Sequence, residues 1–162
     1  MFIIDVIKQA DATGELKVLY KLIERSLGFV PAHFELFATI DFDSMKSFVQ
    51  TNQKIRMHKK IDNNVLPYLR LEIAQKECRN YCVVFNTKMI ETMKDVEIDK
   101  DQEFLKEKVM EAIYNPNTFG ANDLSELESA GFSNEDFYDL LNYAISFMSK
   151  SKLIEVYLTK NT

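Results

Sequence analysis

Both cysteines of the chain fall within one decapeptide, ECRNYCVVFN, Glu77 to Asn86. Cys78 and Cys82 are four positions apart, one more than the Cys-x-x-Cys spacing of dithiol redox sites. On a shared helix their Cβ atoms would lie about 5–6 Å apart, whereas a disulfide requires roughly 3.5–4.5 Å. A bridge would therefore need a reshaped backbone near Asn80. A structural zinc site needs four ligands at short spacing. The only imidazoles, His33 and His58, are remote from the cysteines, so neither metal nor cofactor is expected. A nucleophilic thiolate is the sharper reading. If Asn80 caps a helix, Cys82 falls at its second position, where the helix dipole and unsatisfied N–H groups favour a thiolate. Arg79, three residues earlier, would lower its pKa further. Against this stands the reading of both cysteines as small apolar residues on a buried helical stripe, which the ordinary habits of cysteine favour.

The chemistry of Cys82 thus depends on the segment from Leu66 to Met93. Its apolar stripe Ile73, Ala74, Cys78, Tyr81, Cys82, Phe85, Met89, Met93 fits one long helix. It fits a break near Asn80 equally well, with Asn80 capping a second helix. Pro67 suits the first turn, where a missing N–H costs nothing. Earlier, Leu16, Leu19, Tyr20, Ile23 and Leu27 step at helical spacing between a Thr13 cap and a Gly28 stop. Pro31 suits the first position of a short helix carrying Phe34, Phe37 and Ala38. Asp41 or Asp43 can cap a third. Farther on, Asp99 precedes a helix ended by Asn115-Pro116-Asn117. Asn122 opens a short one closed by Gly131. Ser133 and Asp136 form a capping box for the last, with Ser149 and Ser151 marking a kink before Leu153.

The pattern predicts six to eight helices in a single all-α domain spanning 1–162. Composition agrees: 46% hydrophobic residues supply a core, and four glycines with three prolines are too few for many short strands. The net charge of −5 provides no global field for nucleic acid or an anionic membrane. The run KIRMHKK, Lys54 to Lys60, has no interleaved aromatic and suits a solvated helix end. MFIIDVIKQAD lacks the uninterrupted apolar core of a signal peptide. No stretch approaches the roughly 18 apolar residues of a membrane span. Two cysteines do not make a disulfide framework, so the expected location is the reducing cytoplasm.

Three segments in order carry a resemblance. IERSLGFVPAHFELFATI resembles the entry segment of alkyl hydroperoxidase D-like (AhpD-like) proteins of the carboxymuconolactone decarboxylase superfamily. LPYLRLEIAQKECRNYCVVFNTKMIETM is similar to that family's central helix pair, which carries Cys-x-x-Cys-x-x-x-His at the start of its second helix. LSELESAGFSNEDFYDLLNYAISFMSKSKLIEVYL resembles its closing helices. The resemblance implies an AhpD-like helical bundle, assembled as trimers or hexamers, and a redox function in which two cysteines, a glutamate and a histidine reduce peroxides or disulfides. Carried over without a gap, the second cysteine falls on Cys82, the first on Arg79, the histidine on Asn86 and the glutamate on Pro67. Three of those four roles are vacant, because Arg79 carries no thiol and neither asparagine nor proline relays a proton near neutral pH. The implied protein is an oligomeric binding or structural scaffold with a degenerate thiol site. The alternative is a one-cysteine peroxidase or disulfide reductase, with Cys82 as nucleophile, Arg79 as its activator, and Cys78 or an external thiol reductant resolving the oxidised sulfur. Histidine-based lactone chemistry at His33 or His58 has no visible partner groups in the sequence.

Overall fold

The computed structural model describes residues 2–93 and 97–159. Among these residues there are eight α-helices and one 3-10 turn, with a single isolated β-bridge, so the fold class is all-α. The helices are α1 (Gly14–Leu27), α2 (Ala32–Ile40), α3 (Phe42–Arg56), α4 (Val65–Lys76), α5 (Asn80–Glu91), α6 (Lys100–Tyr114), α7 (Ala121–Ser129) and α8 (Asn134–Tyr157). Among the described residues no helix is long and apolar enough to cross a membrane. The chain falls into two compact units, residues 1–50 with 153–162 and residues 51–152, so that α3 and α8 each contribute to both.

In the first unit the N-terminal segment is held by backbone bonding of Ile3 N–H to Tyr157 O at 2.9 Å, beside the antiparallel bridge of Phe2 with Leu158. Lys8 pairs with the buried Glu35 at 3.0 Å, and the Tyr20 hydroxyl donates to Ile7 O at 3.1 Å. The Phe48 ring lies 6.0 Å from Phe34 and 5.8 Å from Phe37, and His33 is buried against the same two phenylalanines. That packing gives His33 a place in an aromatic core. Gly28 stops α1 with φ +81°, and Asp41 caps α3 by accepting from Ser44 N–H at 2.9 Å. Pro31 sits one position earlier than expected, as the residue before α2. Thr13 precedes α1 without a side-chain cap bond.

In the second unit Val65, Leu66, Leu69, Ile73 and Ala74 of α4 are all at most 2% exposed, which places this helix at the centre. Complete burial of one such leucine contributes about 1.5–3 kcal/mol. Leu105 and Val109 of α6 and Leu140 and Ala144 of α8 are equally enclosed. Asp99 caps α6 through Asp101 N–H at 2.8 Å. The Ser133–Asp136 capping box is complete: Ser133 N–H donates to Asp136 Oδ2 at 2.7 Å and Asp136 N–H to Ser133 Oγ at 3.2 Å. Helix α7 begins one residue before Asn122, where Gly120 N–H donates to Asp123 Oδ2 at 2.8 Å. No interruption marks the serines of α8. Ser151 Oγ donates back to Met148 O at 2.9 Å, which satisfies the hydroxyl within the helix.

Candidate functional site

The decapeptide contains a helix break. Helix α4 ends at Lys76, and two hydrogen bonds close its end: Cys78 N–H to Gln75 O at 3.1 Å and Arg79 N–H to Ala74 O at 2.8 Å. With Glu77 as C-cap, this pair is the Schellman motif, whose next residue takes the left-handed conformation. That residue is Cys78, at φ +54° the only non-glycine with positive φ among the described residues. Glycine normally stands there, as Gly131 does in the same bonding pattern after α7, with φ +90°.

Helix α5 follows at once. Arg79, and not Asn80, is the residue before its first turn, and no side chain caps it. Cys82 therefore lies at the third position of α5, one later than the sequence suggested. The two thiols meet different surroundings: Cys78 is exposed on the corner, Cys82 is 3% exposed, and they are not joined in a disulfide. The Arg79 side chain turns to Glu77, with Nη2 3.5 Å from Oε2, while its Nε is buried without a hydrogen-bond partner. The other oxygen of Glu77 accepts from the Tyr114 hydroxyl at 3.3 Å. Burial first, and then the Glu77 charge, push the Tyr114 phenol up to about 12.

One turn beyond Cys82 is Asn86, fully buried. Its Nδ2 donates to Cys82 O at 2.8 Å, and its Oδ1 accepts from Arg70 Nε at 2.7 Å. Arg70 Nη1 donates in turn to the Tyr143 hydroxyl at 2.6 Å. Arg70 is 9% exposed and Tyr143 1%. A guanidinium from α4 is thus held inside the second unit by a carboxamide from α5 and a phenol from α8. The sequence reading passed over Arg70 and Tyr143. One signal was available: Arg70 is the first charge after five uncharged residues in VLPYLRLEIA, on a helix whose apolar positions leave little room for an exposed face.

Chemically, the amide–guanidinium–phenol chain can fix charge and orientation. Its carboxamide cannot pass a proton to and fro at neutral pH. Among the described residues no group of three or more His, Cys, Asp or Glu is placed to hold a metal ion. A separate groove of about 470 Å³ is lined by Glu77, Ala112, Ile113 and, on α8, Leu141, Ile145 and Lys152. It is mainly apolar.

No model of a known protein family matches the sequence, and no curated protein matches it. Solved structures do. An uncharacterized peroxidase-related protein from Silicibacter sp. TM1040 aligns with a TM-score of 0.76 at 14% identity, covering 98% of this chain and 92% of that one. A second, from Ralstonia eutropha JMP134 and built on the alkylhydroperoxidase AhpD core, gives 0.73 at 14% identity, covering 95% and 88%. At such identity the likeness is one of fold, and the chain has the AhpD-like helical fold.

Proposed function

We propose that this chain is an AhpD-like scaffold whose two-cysteine redox cycle has been lost, and that it acts as a cytoplasmic, homo-oligomeric binding or structural protein. The solved structures of like fold are peroxidase-related, so thiol chemistry is the activity whose loss has to be argued. The observation that carries the reading is the commitment of Asn86. At the position where the resemblance puts a proton-relaying histidine, both ends of the Asn86 carboxamide are tied up, one by Arg70 Nε and one by Cys82 O. The groups around Cys82 then serve to lock α4 to α5. Cys78 supports the same reading, since its thiol is exposed on a left-handed corner outside either helix.

A second reading has one observation in its favour, the place of Cys82 in the first turn of α5. There its thiolate would attack the distal oxygen of a hydroperoxide. The O–O bond would break, the alcohol would leave with a proton, and the sulfenic acid would condense with a second thiol to a disulfide and water, which a further external thiol would reduce by exchange. The pH dependence of alkylation in Cys78→Ser and Cys82→Ser proteins, read by intact mass, decides between the two. The expected result is ordinary reactivity at Cys78 and none at Cys82 until the protein unfolds. A Cys82 that alkylates in the folded protein with an apparent pKa well below the usual ~8.5 would establish the one-cysteine enzyme. Native mass spectrometry tests the assembly, for which a trimer or hexamer is expected and a monomer at micromolar concentration would refute the oligomer.

A further inference from the structure

The groove beside Glu77 runs along one face of α8. Leu141, Ile145, Met148 and Lys152 line it, and steps of four, three and four keep them on the same side of the helix. Eleven positions separate the first from the last, so the stripe extends for about 16 Å of helix. Spread over that length, the volume of about 470 Å³ leaves a mean cross-section of about 30 Å². A trough that long and narrow suits one extended alkyl chain. At roughly 30 Å³ for each liquid-packed group it has room for about 15 of them. Ala112 and Ile113 of α6 add to the apolar lining, and Ile145 is 52% exposed, so the trough is open to solvent in the single chain.

The polar groups of the lining decide what such a chain must carry. Glu77 has its charge met: Arg79 Nη2 stands 3.5 Å from one carboxylate oxygen, and the Tyr114 hydroxyl donates to the other at 3.3 Å. Lys152 is exposed and, among the described residues, pairs with no carboxylate. Ser149, three positions before it, also lines the groove. Ser125, Ser129 and Ser151 each donate to a helix carbonyl three or four residues back, whereas the Ser149 hydroxyl has no partner among the described residues. An ammonium and a hydroxyl are therefore free at the end of the stripe away from Leu141. Their complement is an acceptor group with negative charge.

We infer that the groove binds one medium-chain fatty acid, its alkyl tail along Leu141, Ile145 and Ile113 and its carboxylate at Lys152 and Ser149. This inference deepens the binding role proposed above and rests on it, by naming the ligand class. The two fail separately. A reactive Cys82 would refute the loss of thiol chemistry and leave the groove as it is, and a groove that takes no fatty acid would leave Cys82 unreactive.

The test is calorimetric titration of the full chain with decanoate and, separately, with decyltrimethylammonium, at constant ionic strength. The two amphiphiles share a tail and differ in the sign of the head. The net charge of −5 would on its own draw the cation. Saturable uptake of one decanoate per chain is expected, with the cation bound at least about threefold more weakly. Lys152→Glu, at an exposed position, should reverse that order. Ile145→Asp, also at an exposed position, should abolish decanoate uptake by placing a charge beneath the tail, with the helical circular dichroism unchanged. Tighter binding of the cation by wild type would overturn the site, as would an order unchanged in Lys152→Glu or decanoate uptake retained in Ile145→Asp. No saturation by decanoate up to about a millimolar would do the same. So would a groove already filled by a second copy of the chain, seen as no uptake by wild type and a native mass that falls to the monomer in Ile145→Asp.

Discussion

Replacing Asn86 by alanine probes the arrangement on which the functional reading rests. The substitution deletes the acceptor of Arg70 Nε, at 2.7 Å, and the donor to Cys82 O, at 2.8 Å. Loss of the partner of a buried charged donor costs about 1.5–3 kcal/mol and loss of the neutral bond about 1 kcal/mol. The space left by a carboxamide in a closed interior adds about 1 kcal/mol. The expected destabilisation is therefore about 4 kcal/mol, a large share of the roughly 5–15 kcal/mol typical of a folded domain. Urea unfolding followed by circular dichroism measures it. A double-mutant cycle separates the charged bond from the cavity. In an Arg70→Met background there is no guanidinium to strand, so Asn86→Leu should cost at least about 2 kcal/mol less than in wild type. A loss below about 1 kcal/mol for Asn86→Ala, or strict additivity in the cycle, would show that the chain from α5 to α8 is not what holds Arg70.

Three further outcomes follow from named contacts. Cys78→Gly should raise stability by about 0.5–1 kcal/mol, the net of relieved left-handed strain and greater freedom when unfolded, and a lower urea midpoint would contradict the φ of +54°. Asp136→Ala should cost about 1–2 kcal/mol by opening the capping box of α8, in which Asp136 Oδ2 accepts from Ser133 N–H at 2.7 Å and from its hydroxyl at 2.8 Å; an unchanged midpoint would mean the box contributes nothing. Alkaline unfolding should depend on Tyr114. An unfolded tyrosine ionises near pH ~10, while burial and Glu77 keep Tyr114 protonated up to about 12, so its stabilising share is intact below pH ~10 and lost as the pH rises between the two values. Tyr20, raised by burial and then by Glu35, contributes in the same sense. Stability measured from pH 9 to 12 should fall less steeply in Tyr114→Phe, and an identical slope would count against the assignment.

The parts of the fold that were legible in the sequence are those fixed by near neighbours. Gly28, Asp99 and the Ser133–Asp136 pair end or begin helices through bonds that span a few residues, and each does so as its residue type suggests. The corner at Cys78 was hidden because its signal is usually glycine or asparagine at the left-handed position. Gly131 shows how plainly the same corner reads when glycine supplies it. At the α4–α5 break a cysteine takes the strain, and the nearby Asn80 invited a cap that Arg79 occupies instead. The interior chain was illegible for a different reason. Arg70 meets partners 16 and 73 residues away, and a hydrophobic pattern records which faces are buried, not which polar groups meet there. Tyr143 shares the apolar face of Leu140 and Ala144, so its hydroxyl gave no sign of its partner.

The cysteine on the α4–α5 corner also makes the chain its own reporter. An exposed thiol at Cys78, on a corner closed by two backbone bonds, offers a site for a spin label or fluorophore, while Cys82 is buried. Because the label would sit at the hinge of the helix pair that carries Arg70 and Asn86, its mobility would register any change in how those helices are held. The contact between α4 and α5 could then be followed spectroscopically in the native sequence, with no residue engineered for the purpose.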